Sequence, residues 1–211
     1  MKKSDSTRGL KNLKAIRNDM AKKQDIKKLE KEIERLQHLA YYDELTDVYN
    51  RRGFLNVTNR AFESISLRRT EIERRIGFQI PFSVIFFDID DFKKINDLYG
   101  HDVGDKVLKN VGKILRLKLR PSDFYGRWGG EEFVLALIGA NMETGRIVAE
   151  KIRGEIEQTK IVAKGKKIGV TASFGVVVYR KEKKLSEIIK EADQAMYEAK
   201  KQGKNRVVLQ K

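Results

Sequence analysis

Two short segments place carboxylates where no hydrophobic core requires them. The first, Asp88-Ile-Asp-Asp-Phe-Lys93, follows the apolar run Phe82-Ser-Val-Ile-Phe-Phe87. Side chains alternate along a strand, so Asp88 and Asp90 are expected on one side of it. Two carboxylates at a strand end suit a hard cation such as Mg²⁺, which takes oxygen ligands and fills its shell with waters and substrate phosphates. The same residues also read as a helix N-cap whose acids favour the helix dipole. Amides at such a helix start can receive a phosphate. The second segment is Gly129-Gly-Glu-Glu132. Glycines at a tight turn permit positive φ and close approach of a ligand to the backbone, and Glu131 and Glu132 stand beside that approach. By itself this segment is also the composition of a solvated hairpin. The pairing of the two segments is what points to metal and phosphate chemistry.

Both segments need a scaffold. From Asp43 onward helical and strand patterns alternate. The pattern predicts a helix from about Arg52 to Ile76, with Phe54, Val57, Ala61, Ile65 and Leu67 on its apolar face. Strand 82 to 87 is apolar on both faces and is expected in the middle of a sheet. A helix over 102 to 118 and a hairpin with strands 124 to 128 and 133 to 137 follow. Then come a helix over 142 to 158, a strand over 170 to 179, a helix over 185 to 201 and a last strand over 206 to 209. The expected class is α+β, an antiparallel or mixed sheet covered by helices.

Residues 1 to 42 read as a helical linker and residues 43 to 211 as the globular domain. In the linker Ile26, Leu29, Ile33, Leu36 and Ala40 recur at steps of three and four, a seam that fits a coiled coil with a second copy. Leu13, Ile16 and Met20 show the same spacing, but the six-residue step from Met20 to Ile26 breaks the heptad. An amphipathic helix folded on its own domain is the competing reading.

The 211 residues are 40% hydrophobic and suffice for one ordinary core. The absence of cysteine excludes disulfides, thiolate metal sites and a cysteine nucleophile. The sequence holds no apolar run long enough to span a membrane, so none is expected. A formal charge of +15 attracts polyanions, nucleotides among them, and equally describes a Lys-rich surface.

The motifs taken together resemble the GGDEF family of diguanylate cyclases over essentially all of residues 43 to 210. Gly129-Gly-Glu-Glu-Phe133 is similar to the family signature, in its GGEEF form. Asp43-Glu-Leu-Thr-Asp-Val-Tyr-Asn-Arg-Arg52 is similar to its DxLTGLxNRR opening, with Asp47-Val48 in place of Gly-Leu. The stretches Asp88 to Asp105, Thr171-Ala-Ser-Phe-Gly175, Ala192 to Lys200 and Gly203-Lys-Asn205 complete the match.

The resemblance implies a ferredoxin-like, nucleotide-cyclase palm sheet and the condensation of two GTP into cyclic di-GMP. It implies Mg²⁺, with Mn²⁺ as an alternative, held by Asp88, Glu131 and the carbonyl of Ile89. Glu131 or Glu132 would assist deprotonation. The GTP site would comprise Asn96 and Asp105 on the guanine edge, Lys93, Lys200 and Lys204 on the phosphates, the amides of Asp91 and Phe92, and Gly129 and Gly130. Lys204 stands where the family often has arginine, a point charge in place of a fork. An inhibitory product site is implied at Arg120 and Asp123 of an RxxD motif, with Arg127 and Lys151 as further contacts.

A homodimer with facing active sites, joined through the N-terminal helix, and a cytoplasmic location are also implied. Two other classes remain to be tested: a degenerate domain that binds cyclic di-GMP or GTP without turnover, and a basic nucleic-acid binder. No specific nucleic-acid motif supports the latter.

Overall fold

The computed structural model describes residues 4–76, 81–163, 165–179 and 183–210, with side chains described throughout these except at 4–19, 21 and 65–76. Leu13, Ile16, Ile65 and Leu67, read above as apolar-face residues, lie outside the described side chains. The chain divides into two units between Ala40 and Tyr41. The first is helix α1 (Ser4–Tyr41), whose backbone runs unbroken through the heptad irregularity. Its seam is bare in the single chain: Met20, Ile26, Leu29, Ile33 and Leu36 are 52–66% exposed.

The second unit is a six-stranded mixed sheet between helices. In chain order its elements are β1 (Tyr49–Asn50), α2 (Arg51–Ile76), β2 (Phe82–Ile89), α3 (Phe92–Tyr99), α4 (His101–Lys118), β3 (Phe124–Gly129), β4 (Glu132–Ile138), α5 (Met142–Gln158), β5 (Lys160–Ala163), β6 (Lys166–Gly169), β7 (Ala172–Val178), α6 (Leu185–Lys201) and β8 (Val207–Gln210). The sheet order is β1-β3-β4-β2-β7-β8, with β5 and β6 forming a separate hairpin. Strand β2 is central, antiparallel to β4 and to β7, and all eight of its residues are buried. This is the position its two-sided apolar pattern requires.

Alternation along β2 divides the core. Ile85, Phe87 and Ile89 face one cluster with residues of α3, α4 and α5, where Phe87 stacks against Phe133 and Phe174 at 5.2 and 4.6 Å. Val84 and Phe86 face the other, with Phe54 of α2 and Ile188, Ala192 and Met196 of α6. Register then collects the functional segments. Asp88 lies opposite Glu132 on β4 and Ser173 on β7, and β8 starts beside Phe174. The end of β2, the β3–β4 turn, the start of β7 and the loop after α6 therefore share one end of the sheet.

Three features were not read from the sequence. Strand β1 is two residues long and too short for a pattern. Gly100, at φ +91°, separates α3 from α4. The β5–β6 hairpin alternates exposed Lys160 and Val162 with buried Ile161 and Ala163, a period-two signal hidden among lysines.

Helix α6 packs on β7 at backbone contact, because a Cβ on Gly175 would lie 2.0 Å from the Ala192 carbonyl oxygen and 2.3 Å from the Met196 nitrogen. Neither atom can move without breaking the helix. Gly175→Ala is expected to destabilise the fold by about 3 kcal/mol or more, read by urea denaturation.

Candidate active site

The site is built on a buried carboxylate that holds the backbone together. Asp90, 5% exposed, accepts hydrogen bonds from the Thr171 hydroxyl (2.7 Å), the Ser173 hydroxyl (2.7 Å) and the Asn205 main-chain N–H (3.1 Å). Its own N–H donates to the Thr171 carbonyl at 2.8 Å. The two carboxylates read at the strand end are thus placed differently. Both Asp90 oxygens are occupied by donors from β7 and from the loop after α6, so it organises the site and leaves Asp88 to face it.

Asp88 is 6% exposed and points to the α6 side of the sheet. Lys200 Nζ, on the last turn of α6, lies 2.7 Å from its Oδ1. That is the distance of an ion pair, and this buried oxygen has no partner besides the Lys200 ammonium among the described residues. Burial raises the Asp88 pKa to about 6; Lys200 opposes the rise, while Glu131 and Glu132 add to it. The Glu132 carboxyl is also raised, first by burial and then by Asp193 and Glu131, against Lys200 and Arg51. Four acidic groups thus share the α6 side of this sheet end.

The hairpin turn that carries the glutamates needs its glycine at Gly130, which sits at φ +49° with nothing near its Cβ position. A register slip between Arg127 and Gly129 bulges the strand at Trp128. Arg127 anchors the turn from behind: its Nε donates to the Gly130 carbonyl at 2.8 Å and its Nη1 reaches both Asp43 oxygens at 3.1–3.2 Å. Two nitrogens of this guanidinium are thereby engaged within the chain, at a residue where the resemblance implies a product contact.

Helix α3 begins at Phe92, after Asp91 in the left-handed region at φ +55°, which leaves the first-turn amides without helical partners. Lys204 and Lys94 hold the Asp91 carboxylate at 2.8 Å each and lower its pKa to about 2. Lys204 and Asn205 are themselves left-handed, at φ +64° and +46°. Lys93 is exposed beside them.

Asn96 Oδ1 is buried with no hydrogen-bond partner. It lies against Gly104, where a Cβ would approach to 2.0 Å, so α4 must present a glycine there. Asp105, the next residue, is exposed on the same helix. An amide oxygen and a carboxylate thus stand at the α3–α4 junction, as a purine-reading pair would require.

Arg120 and Asp123 form one turn. The Asp123 carboxylate accepts from the Arg120 N–H at 3.0 Å, the Asp123 N–H donates to the Arg120 carbonyl, and burial raises the Asp123 pKa. Both line a pocket of about 280 Å³ with Tyr42, Tyr49, Arg116 and Tyr125. Lys151 is exposed on α5.

No three acidic or histidine side chains converge to chelate a metal among the described residues. The donors fit a cation that brings phosphate oxygens with it: a buried, underbonded Asp88 oxygen, with Glu131 across the strand end, is the one- or two-carboxylate set that Mg²⁺ accepts. The residue left without a role by the sequence reading is Asn205, which braces the site: its side chain accepts from Arg153 Nη1 and donates to Glu157 Oε1, both at 2.8 Å. Its place in Gly203-Lys-Asn was the only available signal.

The profile of the family described as "Diguanylate cyclase, GGDEF domain" matches residues 40–206. Diguanylate cyclase A of Treponema denticola is 45% identical over 130 residues, 61% of this chain and 35% of that protein. The probable diguanylate cyclase DgcT of Escherichia coli is 37% identical over 177 residues, 82% of this chain and 36% of that protein. The chain therefore spans about a third of the length of these curated relatives. Among solved structures, the active GGEEF domain of a diguanylate cyclase from Vibrio cholerae is 32% identical, with a TM-score of 0.67 over 77% of this chain and 97% of that one. The coiled coil and GGDEF domain of DgcB from Caulobacter crescentus, in complex with c-di-GMP, has a TM-score of 0.80 over 94% of this chain and 99% of that one. At 24% identity that second likeness carries the fold alone.

Asp88 yields a pH prediction. Its folded pKa lies above its ordinary value of 3.8, so the buried charge opposes folding above about pH 6 and is relieved below about pH 4. In metal-free buffer Asp88→Asn is expected to be more stable than the wild type at pH 7, by about 1–3 kcal/mol. The gap should close by about pH 4, as denaturant titrations at both pH values would read.

Proposed function

The chain belongs to the GGDEF family of diguanylate cyclase domains, and from that premise we propose that it condenses two GTP into cyclic di-GMP with release of two pyrophosphates. The observation that carries the reading is that the fold brings the segments bearing Asp88 and Glu131-Glu132 to one sheet end, with Lys200 2.7 Å from Asp88. Carboxylates for a cation and ammonium groups for phosphates are both supplied there by different elements.

The family's reaction uses a divalent metal, and Mg²⁺ is the one proposed, with Mn²⁺ as an alternative. Asp88, Glu131 and the Ile89 carbonyl would hold it. Bound there, it would polarise the α-phosphate and lower the pKa of the attacking 3′-hydroxyl. Asn96 and Asp105 would orient the guanine. Lys93, Lys200 and Lys204, with amides at the start of α3, would hold the phosphates, and Gly129 and Gly130 let the nucleotide approach the hairpin. Lys200 and Lys204 rest on Asp88 and Asp91, so nucleotide binding would exchange those partners for phosphate oxygens. Glu131 or Glu132 would assist deprotonation of the attacking hydroxyl.

Each domain supplies half of the reaction, so two must face each other. The exposed α1 seam supports a homodimer through the N-terminal helix, and the resulting proximity would align two otherwise mobile reactants. Arg120 and Asp123 would bind product, with Arg127 and Lys151 as lesser contacts. A supply of GTP puts the reaction in the cytoplasm. Among the described residues no helix is long and apolar enough to cross a membrane.

Purified protein incubated with GTP and Mg²⁺ is expected to release pyrophosphate and cyclic di-GMP, with Glu131→Gln lowering the rate about a hundredfold or more. Product binding without turnover at high protein concentration would replace the enzyme with an effector. Binding of neither nucleotide would sink both readings.

Arg120→Ala is expected to leave the initial rate near that of wild type and to weaken cyclic di-GMP binding about tenfold or more, by calorimetry. Unchanged product affinity would remove the inhibitory role from this turn.

A further inference from the structure

A second pocket, of about 300 Å³, opens between α2 and α6 behind the hairpin. Its floor is Phe86 of the central strand, and Leu55, Ile189 and Trp128 form its apolar walls. Arg51, Lys190, Asp193 and Ser186 stand at its rim. Trp128 is fixed edge-on against Phe54 and Phe86, with ring centroids 6.4 and 5.9 Å away. The Arg51 guanidinium covers its ring at 4.4 Å.

The pocket is distinct from the RxxD turn and from the α3–α4 junction, and its Arg51 and Asp193 meet the proposed reaction only through the electrostatics of Glu132. Arg51 lies over the Trp128 ring, and Arg51 and Asp193 act on Glu132 only through space. None of the Arg51, Ser186, Lys190 and Asp193 side chains has a hydrogen bond or ion pair among the described residues. Two cations against one carboxylate leave the rim positive. The rim also includes the first residue of α2, where the helix dipole favours an anion. An indole wall, a guanidinium over its face and an aliphatic floor select a flat, apolar body carrying one negative charge. The volume is at the small end for ligand sites, enough for one or two rings.

We propose that this pocket binds a small aromatic anion, and that its occupancy sets the position of the hairpin bearing Glu131 and Glu132. The link is covalent and short. Trp128 is the bulged residue of β3 and immediately precedes Gly129-Gly130, so a ligand that repositions the indole moves the turn through two glycines. The binding claim is independent of the cyclase reading; the effect on turnover rests on it.

Trp128 is the one tryptophan of the chain, so its indole N–H gives a single reporter. Two-dimensional NMR of the ¹⁵N-labelled full chain, titrated with 2-naphthoate, should show saturable shifts of that indole and of the Gly129 and Gly130 amides, with a Kd below about 1 mM. Neutral 2-naphthamide should bind about tenfold more weakly or worse. Lys190→Glu, which reverses a rim charge, and Ser186→Phe, which fills the mouth from an exposed position, should each weaken naphthoate about tenfold or more. In the wild type naphthoate should change the rate of cyclic di-GMP formation, and in either variant it should not. No saturable shift up to about 10 mM naphthoate, equal affinity for the amide, or unchanged affinity in both variants would overturn the proposal. Binding with no GTP turnover would leave the site standing and remove the enzyme; turnover with no binding would do the reverse.

Discussion

The site depends on the hydrogen bonds accepted by the Asp90 carboxylate. Three chain segments that are distant in sequence meet there: the end of β2, the start of β7 and the loop after α6. A buried carboxylate is tolerable only when donors replace its lost water. Here a main-chain N–H and two hydroxyls do so. In return the loop after α6 is held with Lys204 and Asn205 in left-handed conformations, which asparagine tolerates but which cost a lysine about 1–3 kcal/mol. Asn205 is held a second time from α5, through Arg153 and Glu157. That double anchorage is why a surface loop can present lysines at a defined place.

The adjacent carboxylates follow the opposite rule. Asp88, Glu131 and Glu132 are gathered with fewer donors than charges, and burial pushes Asp88 and Glu132 toward their neutral forms. The Asp88 oxygen met by Lys200 alone is a local cost to stability and a ligand position once that lysine moves to phosphate. Lys200 offsets part of that cost. Satisfied Asp90 beside unsatisfied Asp88 separates the residue that builds the site from the residue that is left to work in it, two positions apart on one strand.

The link between the domain's entry and its hairpin is also electrostatic. Arg127 joins the hairpin turn to Asp43, and Asp43 closes the opening turn by accepting from the Thr46 N–H and hydroxyl. Asp47, where the family pattern has glycine, adopts φ +54° and keeps the turn, its N–H donating to the Asp43 carbonyl at 2.8 Å. Aspartate is among the few side chains that enter the left-handed region at modest cost. Arg116 adds hydrogen bonds to the Thr46 and Asp47 carbonyls.

The sequence by itself determined the local elements and the chemical inventory. Period and composition placed β2 in the middle of a sheet, located the helices other than α3, marked the glycine turn with Glu131 and Glu132, and supplied enough ordered motifs to indicate the family. These are properties of residues near one another in the chain, where alternation, helical spacing and turn chemistry operate. Which carboxylate faces the site was decided only by the tertiary structure. Alternation predicts Asp88 and Asp90 as equals, and the difference between them comes from Thr171, Ser173 and Asn205, donors more than eighty residues away. The same is true of Arg127, drawn into the hairpin by Asp43, and of Asn96, whose oxygen is left bare because Gly104 brings α4 against it. Strand pairing and helix packing set such partnerships, and a side chain's partners across the fold leave no period in its own segment.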